Sequence, residues 1–138
     1  MRGFDPALIA TWAEPEIARL LDDPGIVRHR GKIEGTIRGA QAFLRIEQRE
    51  GFSPFLWSFA PPPSARPQTP ADVPGQTPQS QAMSRALKRE GFNFVGPTIT
   101  YAFMQASGMV NDHLATCRWG WFSRKKTRLS SPRAATCS

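Results

Sequence analysis

The sequence predicts an all-α fold, and three observations support that prediction. Prolines stand directly after probable capping positions at Pro6, Pro15, Pro78 and Pro97, and the first turn of a helix is where the missing N–H of proline is tolerated. Between these starts and the next chain breaks, apolar side chains recur every three or four residues. No stretch shows the sustained two-residue alternation that a half-buried strand requires.

The first half of the chain contains two short predicted helices and one long one. Asp5 caps a helix from Pro6 to about Trp12. A second helix begins at Glu14-Pro15-Glu16 and ends before Asp23-Pro24-Gly25. The longest helix extends from about His29 to Glu50, and Gly51 ends it. Its predicted core face consists of Ile33, Ile37, Ala40 and Leu44.

A short apolar helix and a proline-rich loop follow. Ser53-Pro54 caps a helix over residues 55–59, whose aromatic side chains we assign to the core rather than to a ligand cage. Residues 60–79 contain seven prolines. That composition cannot continue a helix, so it predicts an extended surface loop.

The last predicted helices form a hairpin and a short terminal element. One helix starts at Thr77-Pro78 and ends at Gly91, and the next extends from Pro97 to about Ser107, where Gly108 stops it. Asn111 is predicted to cap a final short helix that carries His113 and Cys117.

The charge of the chain is unevenly distributed. Residues 1–60 contain eight basic and eight acidic side chains, whereas residues 118–138 contain six basic side chains and no acid. We expect this basic tail to be disordered. It either binds phosphates through counterion release or is simply solvated.

The composition also restricts the protein class. No apolar run reaches the roughly 20 residues of a membrane helix, no signal peptide is visible, and the two cysteines do not form a disulfide framework. We therefore expect a soluble, intracellular protein. P-loop, dinucleotide-binding, nucleophile-elbow and zinc-protease motifs are missing from the sequence.

The hairpin at residues 78–107 is the first candidate site. The N-terminus of its second helix leaves backbone N–H groups unpaired and has a partial positive charge, so it can bind an anion. Gly96 would let a phosphate approach the backbone, and Lys88 and Arg89 on the preceding helix add charge. The alternative is an ordinary αα-hairpin that packs on a core.

His113 and Cys117 are the second candidate site. Residues four apart on a helix share a face, and a His–Cys pair provides two ligands of a tetrahedral zinc site. His29 and Cys137 are the only other His or Cys residues, and neither has matching local spacing. The alternative is a capped helix with a packed histidine and a buried cysteine.

The start of the long helix is the third candidate. Arg28, His29, Arg30 and Lys32 either contact the DNA backbone or pair with acidic neighbours. The acidic candidates are Asp22, Asp23 and Glu34.

Taken in order, five segments resemble the DNA-3-methyladenine glycosylase I family, and the resemblance extends from about Phe4 to Cys117. The segments are IVRHRGKI (26–33), FLWSF (55–59), SRALKREGFNFVGPT (84–98), YAFMQASG (101–108) and NDH (111–113).

The resemblance implies a helix-hairpin-helix glycosylase fold, with the hairpin at Gly91–Gly96. It implies hydrolysis of the N-glycosidic bond of 3-methyladenine in double-stranded alkylated DNA. It also implies a structural zinc to which His113 and Cys117 contribute two ligands, while two more come from near the family's N-terminus. We expect DNA contacts from the hairpin and a base-pocket wall from the second hairpin helix. The DNA-contacting residues are Lys88, Arg89, Phe94, Gly96 and Thr98, and the pocket-wall residues are Tyr101, Ala102 and Phe103. Core packing is the alternative for those last three.

The family's N-terminal segment has no counterpart in the sequence. That segment carries a Cys-x-Trp and a His that complete the zinc site, together with the aromatic residues and the glutamate that recognise the flipped base. We therefore expect a domain at 1–117 that is incomplete at its N-terminus, and little or no activity from this chain alone. The catalytic residues are expected upstream of Met1. The competing hypothesis is a non-catalytic, sequence-independent DNA-binding module. We expect a cytoplasmic monomer that does not associate with membranes.

Overall fold

The computed structural model describes residues 3–117, and within that range every regular element is helical. The prediction of an all-α fold is confirmed. The basic tail and Cys137 lie outside the described residues. The six α-helices are α1 (Pro6–Ala10), α2 (Glu14–Leu21), α3 (Arg30–Arg49), α4 (Phe52–Trp57), α5 (Pro78–Glu90) and α6 (Pro97–Ser107).

Local capping chemistry sets most of these boundaries. The Asp5 carboxylate accepts from the Ala7 N–H at 2.9 Å, as predicted for the start of α1. The Thr77 hydroxyl accepts from the Ser80 N–H at the start of α5. Gly91 and Gly108 end α5 and α6 in the left-handed region, at φ 103° and 78°. These φ values are favourable only for glycine, so the two stops are encoded locally.

The short helix α4 begins earlier than the sequence predicted. Its N-cap is Gly51, at φ 84°, so Ser53 and Pro54 lie inside the first turn instead of capping it. The helix ends at Trp57, two residues before the predicted end at Phe59. The Phe52 N–H donates to the Glu47 carboxylate at 2.7 Å. A side chain from the preceding helix therefore takes the place of the predicted serine cap.

Helix α3 crosses the molecule between two hydrophobic clusters. One joins α1, α2 and α3 through Ile9, Ile17, Leu20, Ile33, Ile37 and Ala40. The other joins α4, α5 and α6 through Leu56, Met83, Leu87, Tyr101, Met104 and Met109. Three of the four predicted core positions of α3 are buried, while Leu44 is only half-buried. The C-terminal half of α3 instead buries Ala42 and Ile46, both with 0% exposure.

The proline-rich segment has no α-helix between Phe59 and Thr77, while Pro78 and Gln79, the last two residues of the expected loop, belong to α5. It contains one 3₁₀ turn at Pro70–Asp72. The Asp72 carboxylate accepts hydrogen bonds from the Thr69 N–H, the Thr69 hydroxyl and the Gln68 N–H, and the Thr69 contacts above all lower the pKa of Asp72. The loop therefore has internal order.

No helix within residues 3–117 is long and apolar enough to cross a bilayer.

Candidate functional site

The hairpin between α5 and α6 packs against a glycine face of α3. A Cβ on Gly35 would come within 3.1 Å of the Phe94 ring, and a Cβ on Gly39 would lie 3.5 Å from the Phe92 ring. Glycine inside a helix costs about 1 kcal/mol relative to alanine. Two of them four residues apart are therefore explained by the close approach of the hairpin loop. This spacing is the sequence signal that could have predicted the docking face.

Polar contacts hold the same loop to α3. Arg45 donates to the Glu90 carbonyl at 2.7 Å, just before the hairpin turn. Arg49 forms ion pairs with Glu90 at 2.9 Å and with Glu50 at 2.7 Å. With the Asn93 amide oriented so that its oxygen faces α3, Arg38 donates to it at 2.6 Å. The turn is therefore fixed to the longest helix on both sides of Gly91.

Phe94 has an unusual backbone in this loop. Its φ is 58°, in the left-handed region that non-glycine residues rarely occupy, and its side chain is 58% exposed. An exposed aromatic residue held in a strained conformation is more typical of a contact surface than of a core. The structure thus places Phe94 at the surface of the hairpin, where the sequence predicted a DNA contact.

Gly96 lies at the start of α6 as its N-cap, with φ −63° and ψ 158°. It is half-buried, and a Cβ built on it would meet no atom within 4 Å. No side chain caps this helix, and Pro97 has no N–H to offer. The backbone amides of Thr98 and Ile99 are thus left without a capping acceptor at the positive end of the helix.

The remaining predicted DNA contacts lie on the same hairpin. Thr98 is exposed in the first turn of α6, and Lys88 and Arg89 are exposed in the last turn of α5. Two cations at a helix C-terminus also complement the helix dipole, so these two side chains have a structural role without any ligand. The hairpin therefore combines open amides, surface aromatic area and positive charge.

The three predicted pocket-wall residues do not form one wall. Tyr101 is buried and borders a groove of about 670 Å³ beside the proline-rich loop. Phe103 is 43% exposed and lines an apolar cleft of about 230 Å³ between α4, α5 and α6. Ala102 is exposed and lines neither. Consecutive helical residues point about 100° apart, which explains why the three diverge.

The Tyr101 hydroxyl belongs to a buried polar cluster. It donates a short hydrogen bond to Asp112, and Gln105 donates to the same Asp112 oxygen at 2.8 Å. Burial, together with the hydrogen bond to Asp112, raises the pKa of Tyr101 well above its ordinary value. This cluster fixes the segment after α6 to the helix itself.

The predicted terminal helix at Asn111–Cys117 is wrong. These residues form bends and turns without helix, and the Asn111 side chain accepts from the His113 N–H at 3.3 Å in a local turn. Long-range hydrogen bonds divert the backbone: Arg66 donates to the Leu114, Ala115 and Cys117 carbonyls, and the Ala115 N–H donates to Pro67 O at 2.9 Å.

His113 and Cys117 nevertheless face each other. Cys117 Sγ lies 3.6 Å from His113 Nδ1, with the histidine exposed and the cysteine half-buried. Two ligands of a tetrahedral zinc, at the usual Zn–N and Zn–S lengths, are about 3.5 Å apart. The pair thus fits two corners of a zinc site. Among residues 3–117 no group of three or more His, Cys, Asp or Glu side chains is placed to hold a metal.

At the start of α3, Arg30 forms ion pairs with two acidic neighbours. It donates to Glu14 at 2.6 Å and to Glu34 at 3.5 Å, and its hydrogen bond to the Glu14 carboxylate above all raises the pKa of Arg30. His29 caps α3 by accepting from the Lys32 N–H at 3.3 Å. For Arg30 the structure therefore supports pairing with acidic neighbours. Glu34 was among the predicted partners, and Glu14 was not.

Comparisons with known proteins give one consistent family. The family model described as methyladenine glycosylase matches residues 1–120. The chain is 48% identical over 117 residues to DNA-3-methyladenine glycosylase 1 of Escherichia coli K12, covering 83% of this chain and 63% of that protein. It is 42% identical to the DNA-3-methyladenine glycosylase of Haemophilus influenzae, with the same coverage of both chains.

Solved structures agree with the family model. A crystal structure of 3-methyladenine DNA glycosylase I superposes with a TM-score of 0.77 at 47% identity, covering 83% of this chain and 64% of the other. The Staphylococcus aureus enzyme, solved to explain its recognition of 3-methyladenine, gives 0.76 at 34% identity over 83% and 62% of the two chains. The chain thus spans less than two thirds of the length of these relatives. It belongs to the methyladenine glycosylase family.

Proposed function

We propose that this chain acts in base-excision repair as a DNA-3-methyladenine glycosylase I, a monofunctional N-glycosylase. The reaction breaks the bond between the sugar C1′ and the base nitrogen, and water adds at C1′. It releases 3-methyladenine and leaves an abasic site. Support comes from the relatives named for this activity and from a solved relative in complex with 3-methyladenine.

The observation that carries the proposal is the hairpin at Gly91–Gly96. Its uncapped amides at Thr98 and Ile99 and the open space at Gly96 suit a phosphate oxygen. Contacts with phosphate position a protein on DNA without reading its sequence. The hairpin would therefore hold the duplex backbone, with Lys88 and Arg89 adding charge and Phe94 adding apolar contact.

Because of the chemistry of the substrate, the enzyme needs few groups for cleavage beyond those that hold the DNA backbone. A glycosylase rotates the damaged nucleotide out of the stack at a few kcal/mol, and less for a damaged pair. Methylation at N3 makes adenine cationic, so its glycosidic bond is already weakened. Shape, stacking and a hydrogen-bond acceptor for the base then suffice. Of the three residues predicted for the wall beside that base, we keep Phe103, because it is an accessible aromatic side chain that lines the apolar cleft.

These 138 residues by themselves should show little or no glycosylase activity, because none of their side chains is assigned as the stacking partner or the hydrogen-bond acceptor of the flipped base. The test is release of 3-methyladenine from alkylated duplex DNA, measured beside a relative that includes the remaining third of the family's length. Release at a rate similar to that relative would contradict the expectation. Binding to the duplex should still occur, and it should weaken steeply as salt rises.

We also propose a structural zinc, for which His113 and Cys117 provide two ligands. A structural zinc binds four protein ligands and stabilises the segments that carry them. With two ligands assigned in this chain, we expect weak zinc binding that a chelator reverses. A stoichiometric, chelator-resistant zinc in the purified protein would contradict this.

The second candidate function is a non-catalytic DNA-binding module. It is favoured by the fact that the described residues contain the elements for gripping phosphate but none assigned as the stacking partner or the hydrogen-bond acceptor of the base. The two functions differ in one measurement, the ratio of affinities for methylated and unmodified duplexes, which equals one for a sequence-independent module. We further propose that the protein is a cytoplasmic monomer that meets its double-stranded substrate at the nucleoid.

A further inference from the structure

The turn that carries His113 and Cys117 is hydrogen-bonded to helix α6 and to the proline-rich loop. At its start, Asp112 accepts hydrogen bonds from Tyr101 and Gln105 of α6. At its end, the proline-rich loop holds the turn through Arg66 and Pro67. The proline-rich loop therefore provides the second set of hydrogen bonds that fixes this turn.

Arg66 makes an unusual set of contacts for a loop arginine. Its Nη2 donates to the Ala115 carbonyl at 2.7 Å, and its Nη1 lies 3.3 Å from both the Leu114 and the Cys117 carbonyls. Residues 111–117 are not helical. The Leu114 carbonyl also accepts from the Cys117 N–H at 2.8 Å, whereas no backbone N–H of the described residues donates to the Ala115 or Cys117 carbonyl. One planar guanidinium donates to all three carbonyls.

We propose that Arg66 is a positioning residue that holds the turn so that the His113 imidazole and the Cys117 thiol face one metal. The proposal rests on the zinc pair proposed above. Without Arg66, the Ala115 and Cys117 carbonyls would lose their donor, and the 3.6 Å spacing between Sγ and Nδ1 would no longer be fixed at its Cys117 end. Partners outside the ligand set typically contribute 10–100-fold to metal affinity.

Three variants separate this role from general stability. Arg66→Met removes the guanidinium but keeps an unbranched side chain. Arg66→Lys keeps the charge but cannot reach three carbonyls with a planar fork. The matched control is Arg85→Met on the exposed face of α5, where the structure gives no hydrogen bond or ion pair. Thermal melts of the whole chain, followed by circular dichroism, establish that each variant is folded.

The first readout needs no metal. Amide hydrogen exchange should be at least about tenfold faster at Ala115 in Arg66→Met and Arg66→Lys than in the wild type, because the Ala115 N–H would lose its fixed acceptor at Pro67. Alkylation of the Cys117 thiol, resolved from Cys137 by peptide mass spectrometry, should accelerate in the same variants. Arg85→Met should match the wild type in both measurements.

The second readout is affinity for Co²⁺, monitored by the thiolate-to-cobalt absorption. We expect roughly a 10–100-fold loss in both Arg66 variants. If Arg66→Met has the same exchange rate, alkylation rate and cobalt affinity as the wild type, the positioning role is overturned. If the wild-type chain gives no cobalt absorption, the zinc proposal fails. The role of Arg66 in fixing the turn is then decided by exchange and alkylation alone.

Discussion

The two ends of helix α6 differ in whether their terminal backbone groups have hydrogen-bond partners. At the N-terminal end, Gly96 provides no capping side chain, and the amides that follow Pro97 are left open. At the C-terminal end, Gly108 reverses the chain, and the amides of Gly108, Met109 and Val110 donate back to the Gln105 and Met104 carbonyls. An unsatisfied end is available to a ligand, whereas a satisfied end stabilises the fold. Variants at the two ends should therefore separate DNA affinity from stability.

The middle of the helix should matter most, because it supports both ends. Met104 is completely buried in the cluster of α4, α5 and α6. Met104→Ala should lower the free energy of unfolding by about 2–5 kcal/mol, through lost burial and the cavity that remains. Urea unfolding followed by circular dichroism measures the change. Gln48→Ala, at an exposed position of α3, is the control and should be near neutral. A loss below 1 kcal/mol at Met104 would show that α6 is not anchored by this core.

Tyr101 should have the next largest effect, confined to the C-terminal attachment. Tyr101→Phe removes its hydrogen bond to Asp112 and should cost about 1–3 kcal/mol, with DNA affinity unchanged. The raised pKa of Tyr101 adds a pH dependence. The folded state keeps the phenol protonated better than the unfolded chain does. Its contribution is therefore complete below about pH 10 and is lost as pH rises through the folded pKa.

Because Tyr101 is the single tyrosine of the chain, its ionisation can be followed directly by ultraviolet absorbance. The midpoint should lie above the ordinary value of about 10. A midpoint at or below that value in folded protein would contradict the buried hydrogen bond. As the pH rises above about 10, the free energy of unfolding should fall less in Tyr101→Phe than in the wild type, because the variant has no phenol to ionise at this position.

Gly96 and Gly108 flank α6 and allow a direct comparison of its two ends, with smaller expected changes in stability than at Met104 or Tyr101. Gly108→Ala places a Cβ at φ 78° and should destabilise by about 1–2 kcal/mol. Gly96→Ala has an ordinary φ of −63° and open space around the new methyl group, so it should change stability by less than about 0.5 kcal/mol. Thermal melts of both variants side by side measure the difference. Equal losses would mean that the two ends are not distinguished by backbone conformation.

The sequence predicted correctly those helix ends that a single residue sets through its own side chain or backbone conformation. Asp5, Thr77, Gly91 and Gly108 fix helix ends through short-range hydrogen bonds or positive φ values. These effects act over a few residues, so they can be predicted from local patterns.

The failures involve partners that are distant in the chain. The expected helix over 111–117 is replaced by turns because Arg66, about 50 residues earlier, binds its carbonyls. Ala42 and Ile46 were missed because they lie outside the stripe of Ile33, Ile37, Ala40 and Leu44 on which the prediction relied. The role of Gly35 and Gly39 depends on Phe92 and Phe94, which the fold brings to them. Periodicity within one segment contains none of this information.

Charge at Gly96 tests the central claim that the start of α6 grips a phosphate. Gly96→Asp and Gly96→Asn both introduce preferred N-caps that improve stability by a few tenths of a kcal/mol, but only aspartate adds negative charge. Fluorescence anisotropy with an alkylated duplex at low salt compares them, with the basic tail unchanged. Both caps compete with the phosphate for the Thr98 and Ile99 amides, so the account predicts weaker binding in both variants and at least a roughly tenfold larger loss for Gly96→Asp than for Gly96→Asn. Equal affinity for the two variants would contradict it.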